Sequence, residues 1–133
     1  MDAEQLKSAC LAMPGSFEDF PFGPEASVFK VRVPGAAGPK MFALSALAAR
    51  PLTVSLKCDP VLAEQLRAVH PEITAAYHMS KRHWNGVVCD AALEDQSIRD
   101  MIEDSYDLVV ASLPRRQREA LGWQRIVQAG ADG

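Results

Sequence analysis

Ile73 to Cys89 reads ITAAYHMSKRHWNGVVC: two runs, 73–79 and 83–89, on either side of a polar turn at Ser80-Lys81-Arg82. Ile, Val, Thr, Tyr and Trp favour the pleated, half-buried surface of a sheet. A connection this short reverses the chain, so the stretch predicts an antiparallel hairpin with a basic pair at its tip.

Upstream, SVFKVRV (27–33) alternates Phe29, Val31 and Val33 against Lys30 and Arg32, as a half-buried strand does. KMFALSAL (40–47) and LTVSLKC (52–58) continue a meander of three strands, the last with Leu52, Val54, Leu56 and Cys58 on one side and Thr53, Ser55 and Lys57 on the other. Asp59-Pro60 starts a helix, with Asp as N-cap and Pro at the first helical position. Leu62, Leu66 and Val69 are its predicted buried stripe, and Pro71 ends it. Leu6, Ala9, Cys10 and Met13 place a first helix before Pro14-Gly15, and Ile98, Met101, Ile102, Ser105, Val109 and Leu113 keep helical spacing from a predicted N-cap at Asp95 to Pro114. Between the first helix and the first strand, SFEDFPFGPEAS reads as a loop whose Phe17, Phe20 and Phe22 plug the border of the core. The predicted order is α-β-β-β-α-β-β-α. Runs of strands in place of strict βαβ alternation favour an α+β two-layer sandwich, an antiparallel sheet with helices packed on one face. Residues 1–119 form one predicted domain and 120–133 a polar C-terminal extension.

At 133 residues the chain is long enough for one core, and its 48% apolar and 23% charged residues match ordinary globular composition. A net charge of −3 is not that of a dedicated nucleic-acid binder, so any such activity must be local. The charge is unevenly placed: 94–107 carries six acids against Arg99, whereas 115–125 carries Arg115, Arg116, Arg118 and Arg125 against Glu119. Cys10, Cys58 and Cys89 are odd in number and outside any C-x-x-C pattern, which argues against a disulfide framework or a structural zinc site and fits a reducing compartment. The polar, acidic N-terminus lacks a secretory apolar region and no run is long enough to span a membrane, so the expectation is a cytoplasmic protein.

The chemistry-bearing residues concentrate at 70–85, which holds all three histidines, His70, His78 and His83, with Lys81, Arg82, Tyr77 and Trp84. The histidine spacing matches no metal-ligand pattern, with Glu72 the nearest carboxylate in sequence. No nucleophile elbow, Gly-rich dinucleotide turn or P-loop is present. The acids of 94–107 read as a solvated helix face with i, i+4 partners. The expectation is a protein without catalytic residues, metal or cofactor. A hairpin carrying Lys81, Arg82 and His83 beside Trp84 does offer phosphate contacts next to a ring that can stack.

At these residues the chain resembles a known family: YHMSKRHWNGV (77–87) is similar to the His-Met-Asn-Lys-x-His-Trp signature of the MmcQ/YjbR family of small bacterial proteins. FPFGPEASVFKV (20–31) with KMFAL (40–44) resembles its aromatic loop and first strand pair, and DSYDLVVASLPRRQRE (104–119) its closing helix. The resemblance spans roughly residues 3–119 and implies an α-β3-α-β2-α fold like those of type III secretion chaperones and frataxin. It also implies DNA binding, the label the family commonly carries. Position by position the signature falls on His78, Met79, Lys81, His83 and Trp84, with Ser80 where the family usually has Asn; Ser enters a left-handed turn less readily.

The leading expectation is thus a cytoplasmic, non-enzymatic DNA-binding protein whose Lys81, Arg82, His83, Trp84 and His78 form the site, with Arg115, Arg116 and Arg118 if they lie nearby. The full patch would give a log-affinity against log-salt slope of roughly −3 to −5. A protonated His83 would strengthen anion binding at mildly acidic pH. Two rival expectations are a protein-interaction or self-associating module docking through the acidic helix 95–113, and a small-ligand or anion-binding protein using Thr53, Ser55, Lys57 and His78.

Overall fold

The computed structural model describes residues 1–32, 38–76, 79–113 and 119. Asp2 caps the first helix in a capping box: its carboxylate accepts from the Gln5 backbone N–H at 2.8 Å while the Gln5 side chain accepts from the Asp2 N–H at 2.9 Å. Helix α1 (Ala3–Leu11) then buries Leu6 and Cys10, one turn apart on the face it turns to the sheet. Four strands follow, β1 (Ser16–Asp19), β2 (Ser27–Val31), β3 (Lys40–Ser45) and β4 (Thr53–Lys57); then α2 (Pro60–Val69), β5 (Ile73–Ala75), β6 (Trp84–Val88) and α3 (Asp95–Ala111). The strands form one sheet in the order β1-β2-β3-β4-β6-β5, and every pairing is antiparallel.

The pleat sorts the strand residues between two faces. On β4 and β6, Val54 and Leu56 pair with Val87 and Asn85 on one side, whereas Thr53, Ser55 and Lys57 pair with Val88, Gly86 and Trp84 on the other. Helix α3 lies across β3 and β4 on the first side, with α1 beside it against β1. Phe29, Phe42, Leu52, Val54, Ile98, Ile102 and Tyr106 fill the layer between them, and the Phe42 and Tyr106 rings meet edge to face at 5.4 Å. The opposite side of the sheet carries no helix among the described residues.

The α+β two-layer architecture is as the sequence predicts, with one strand more. β1 occupies Ser16–Asp19, inside the segment read as a loop. SFED offers a single apolar residue and no alternation, because β1 is the outermost strand and all four of its side chains are only half-buried; backbone pairing with β2 creates it. The aromatic plug is also overturned: Phe20 and Phe22 are 46% and 72% exposed. They follow β1 in its connection to β2 and stand away from the core.

Helix α2 turns a different face inward from the one predicted. Leu62 and Val69 are 39% and 70% exposed, and the inward residues are Ala63, Leu66, Arg67 and His70, which keep i, i+3, i+4, i+7 spacing equally well. Ala63 allows close approach, and Arg67 supplies hydrogen bonds no apolar residue could make. The N-cap of α3 is Glu94, with Asp95 in the first turn, where its charge favours the helix N-terminus.

Candidate functional site

The turn between β5 and β6 is built from backbone outward. The N–H groups of His83 and Trp84 both donate to the Ser80 carbonyl, at 3.1 and 2.9 Å, closing a tight turn over 80–84. Ala76 N–H donates to Trp84 O below it, and Cys58 N–H donates to His83 O at 2.7 Å, tying the turn to the end of β4. From the helical side, one nitrogen of Arg67 donates to Lys81 O and to the buried Asn85 Oδ1, both at 2.9 Å. With its backbone held from three directions, the turn leaves Lys81, Arg82 and His83 exposed side by side.

Trp84 is the first residue of β6 and is half-buried on the uncovered face, opposite Lys57. It forms one wall of a concave pocket of about 740 Å³, together with Met79 and Ser80 from the turn, Thr53 and Ser55 from β4, Met41 and Leu44 from β3, and Phe22 from the loop after β1. The cations at the other end of this face are engaged: Lys30 pairs with Asp19 at 2.8 Å, and the Arg32 guanidinium lies 4.2 Å above the Phe17 ring. The Lys30 hydrogen bond is the main reason the Asp19 carboxyl ionises below its ordinary value.

Of the residues the sequence singles out, Lys81, Arg82, His83 and Trp84 come together at one corner, and Thr53, Ser55 and Lys57 share the adjoining face. His78, Arg115, Arg116 and Arg118 lie outside the described residues. His70 closes α2, its N–H on Leu66 O. Among the described residues no three His, Cys, Asp or Glu side chains gather to hold a metal ion, and no helix is long and apolar enough to cross a membrane. Burial pushes the Cys10 and Cys89 thiols up to about 12 and about 11, so both stay protonated. Cys58 is raised less, by partial burial and by Asp59 and Asp104; Asp104 is itself raised, by burial and by Asp100 and Glu103. Sequence reasoning missed Arg67 and Asn85, and it placed Phe22 at the core border, whereas it stands exposed at the pocket wall. The alternative helical spacing through Ala63 and Arg67 was the available signal for the first; nothing local marks Asn85.

The family model YjbR matches residues 11–108. The chain belongs to the YjbR family. It is 34% identical over 116 residues to uncharacterised protein YbdF of Escherichia coli O157:H7, covering 87% of this chain and 90% of that one. To uncharacterised protein YjbR of Escherichia coli K12 it is 31% identical over 121 residues, covering 91% and 98%. Among solved structures, a Deinococcus radiodurans protein with the family domain DUF419 superposes with a TM-score of 0.83 at 36% identity, covering 91% of this chain and 88% of that one. A Pseudomonas syringae protein superposes with a TM-score of 0.68 at 28% identity, covering 81% and 98%. The YjbR match takes in the basic turn and all the described residues lining the pocket.

Proposed function

We propose that this YjbR-family chain binds DNA through the turn at 80–83, with Lys81 and Arg82 on phosphate oxygens, His83 adding a donor and Trp84 offering a ring beside them. One observation supports the reading above the others: three cationic or donor side chains stand exposed on a turn whose backbone is anchored by β4 and by Arg67, itself held by Asn85. Anchoring matters because a preordered turn gives up less conformational freedom on binding. The proposed action is binding without chemistry. A chain of net charge −3 repels the polymer elsewhere, so the contact is local, weak and salt-sensitive.

The test is fluorescence anisotropy of labelled duplex and single-stranded DNA across a salt series. Two phosphates neutralised by Lys81 and Arg82 give a log-affinity against log-salt slope of about −2, steeper by about 0.9 for each of Arg115, Arg116 and Arg118 that joins. The Lys81→Glu, Arg82→Glu double variant is expected to lose binding, and Arg67→Ala to weaken it with the turn cations retained. A flat salt response, or a double variant that binds like the parent, overturns the proposal.

A further inference from the structure

We propose a second binding site, adjoining the basic turn and sharing Trp84 with it: the pocket on the uncovered face of the sheet takes a compact organic molecule with an apolar, aromatic body and one anionic group. The uncovered face of an antiparallel sheet ordinarily reads polar. Here its middle does not, because Met41 and Leu44 on β3 and Trp84 on β6 surround the hydroxyl-bearing Thr53 and Ser55 of β4. The volume of about 740 Å³ falls within the usual range for small-molecule sites, roughly 300–1,000 Å³, which are likewise mostly apolar with a few placed polar groups.

Phe22 argues for an occupant. A phenylalanine 72% exposed loses the stabilisation that burying its ring would give, yet this one stands in a loop at the pocket wall, where a bound molecule would cover it. The thioethers of Met41 and Met79 line the same space with a polarisable, adaptable surface suited to an aromatic body. Charge fixes the rest of the chemistry. Among the described lining residues none is charged, while Lys57 stands on the same face opposite Trp84 and the exposed Lys81 follows the lining Ser80 at the turn. Two cations beside an uncharged lining favour an anion and select against a cation. The pocket is a hollow of single-molecule size, where DNA contact at the turn needs an open, charged surface.

Anilinonaphthalene sulfonate, which joins flat rings to one anion, is the probe, and its uncharged analogue N-phenylnaphthylamine the control. Binding is read from Trp84 quenching in a Trp123→Phe background and from probe emission. Saturable uptake of one sulfonate per folded chain, with Kd on the order of 10 μM, is expected. Phe22→Ala, an exposed position, should weaken it about tenfold, the scale at which an aromatic anchor contributes, and Ser55→Phe should abolish it by filling the hollow. Lys81→Glu with Arg82→Glu should weaken the sulfonate and leave the neutral analogue unchanged. DNA binding retained in Phe22→Ala separates the two sites. Non-saturable uptake, or affinity indifferent to both Phe22→Ala and Ser55→Phe, overturns the site; equal affinity for the neutral analogue overturns the anionic part.

Discussion

Ser105 is a polar residue in the middle of the core, fully buried, donating to Phe42 O at 2.6 Å and accepting from Lys57 N–H at 2.8 Å. The β2–β3 register shifts between Phe29 and Lys30, whose partners Ala43 and Met41 skip Phe42. A bulged residue is left out of the ladder, and the Ser105 hydroxyl gives its carbonyl a partner. Ser105→Ala leaves both backbone groups without that partner and should cost about 2 kcal/mol in urea unfolding; an unchanged midpoint would refute the role. Tyr106 works alongside, its hydroxyl on Pro14 O at 2.6 Å, and Tyr106→Phe should cost about 1 kcal/mol while keeping the ring contact with Phe42. Cys10 supplies a pH test. Its native thiol ionises only near 12, against 9.0 for an unperturbed one, so above pH 9 the unfolded chain releases a proton the native chain keeps. Stability contributed by this group is therefore complete below pH 9 and falls as pH rises toward 12, by up to about 1.4 kcal/mol per pH unit. Cys10→Ala should flatten the loss measured between pH 9 and 10.5. That Ser105 and Tyr106 belong to a helix is legible from spacing, and so is the inward direction of Ser105; what their hydroxyls hold is not, since Phe42 and Pro14 are remote in sequence.

Helix α2 shows where pattern reading stops. Hydrophobicity chooses Leu62, Leu66 and Val69, whereas the fold chooses Ala63, Leu66, Arg67 and His70 because Arg67 must reach Lys81 O and Asn85 Oδ1. Val69→Ser should therefore change stability by no more than about 0.5 kcal/mol, whereas Ala63→Leu should cost about 1–3 kcal/mol by overpacking the sheet. The reverse order in thermal or urea unfolding would restore the hydrophobic stripe. Arg67→Ala should speed amide hydrogen exchange at His83 and Trp84, whose N–H groups close the turn, more than at Val54 in the sheet interior; equal protection would mean the turn holds itself. The meander and the three helices are legible because each has a strong local period or cap; the hairpin is legible in its reversal and second strand, but its first strand, predicted over 73–79, ends at Ala75. β1 is not legible, since its strand character comes from β2.

At the scale of the whole molecule the two layers have different characters. The helical layer closes the core and carries the acids of α3, whereas the uncovered face holds the apolar hollow with the basic turn at its corner. The α+β class and antiparallel sheet follow from runs of strands in place of strict βαβ alternation, and the basic tip from three adjacent residues; that α2 carries the chain past the place of β6, leaving β5 at the edge, is not legible locally. The hollow is invisible in sequence because Phe22, Met41, Ser55, Met79 and Trp84 are separated along the chain and meet only once β3, β4 and β6 lie side by side.

The strand order has a consequence for how copies of this chain meet. The sheet ends on β1, four residues long and followed by Pro21, and on β5, three residues long and preceded by Pro71. Edge strands are where sheets from separate molecules zip together, and short ones bordered by proline offer few free amides for that. The longer strands β2, β3 and β4 lie inside, already paired on both sides. Among the described residues, then, the sheet edges offer little for backbone extension from one copy to the next and make poor templates for fibrous aggregation.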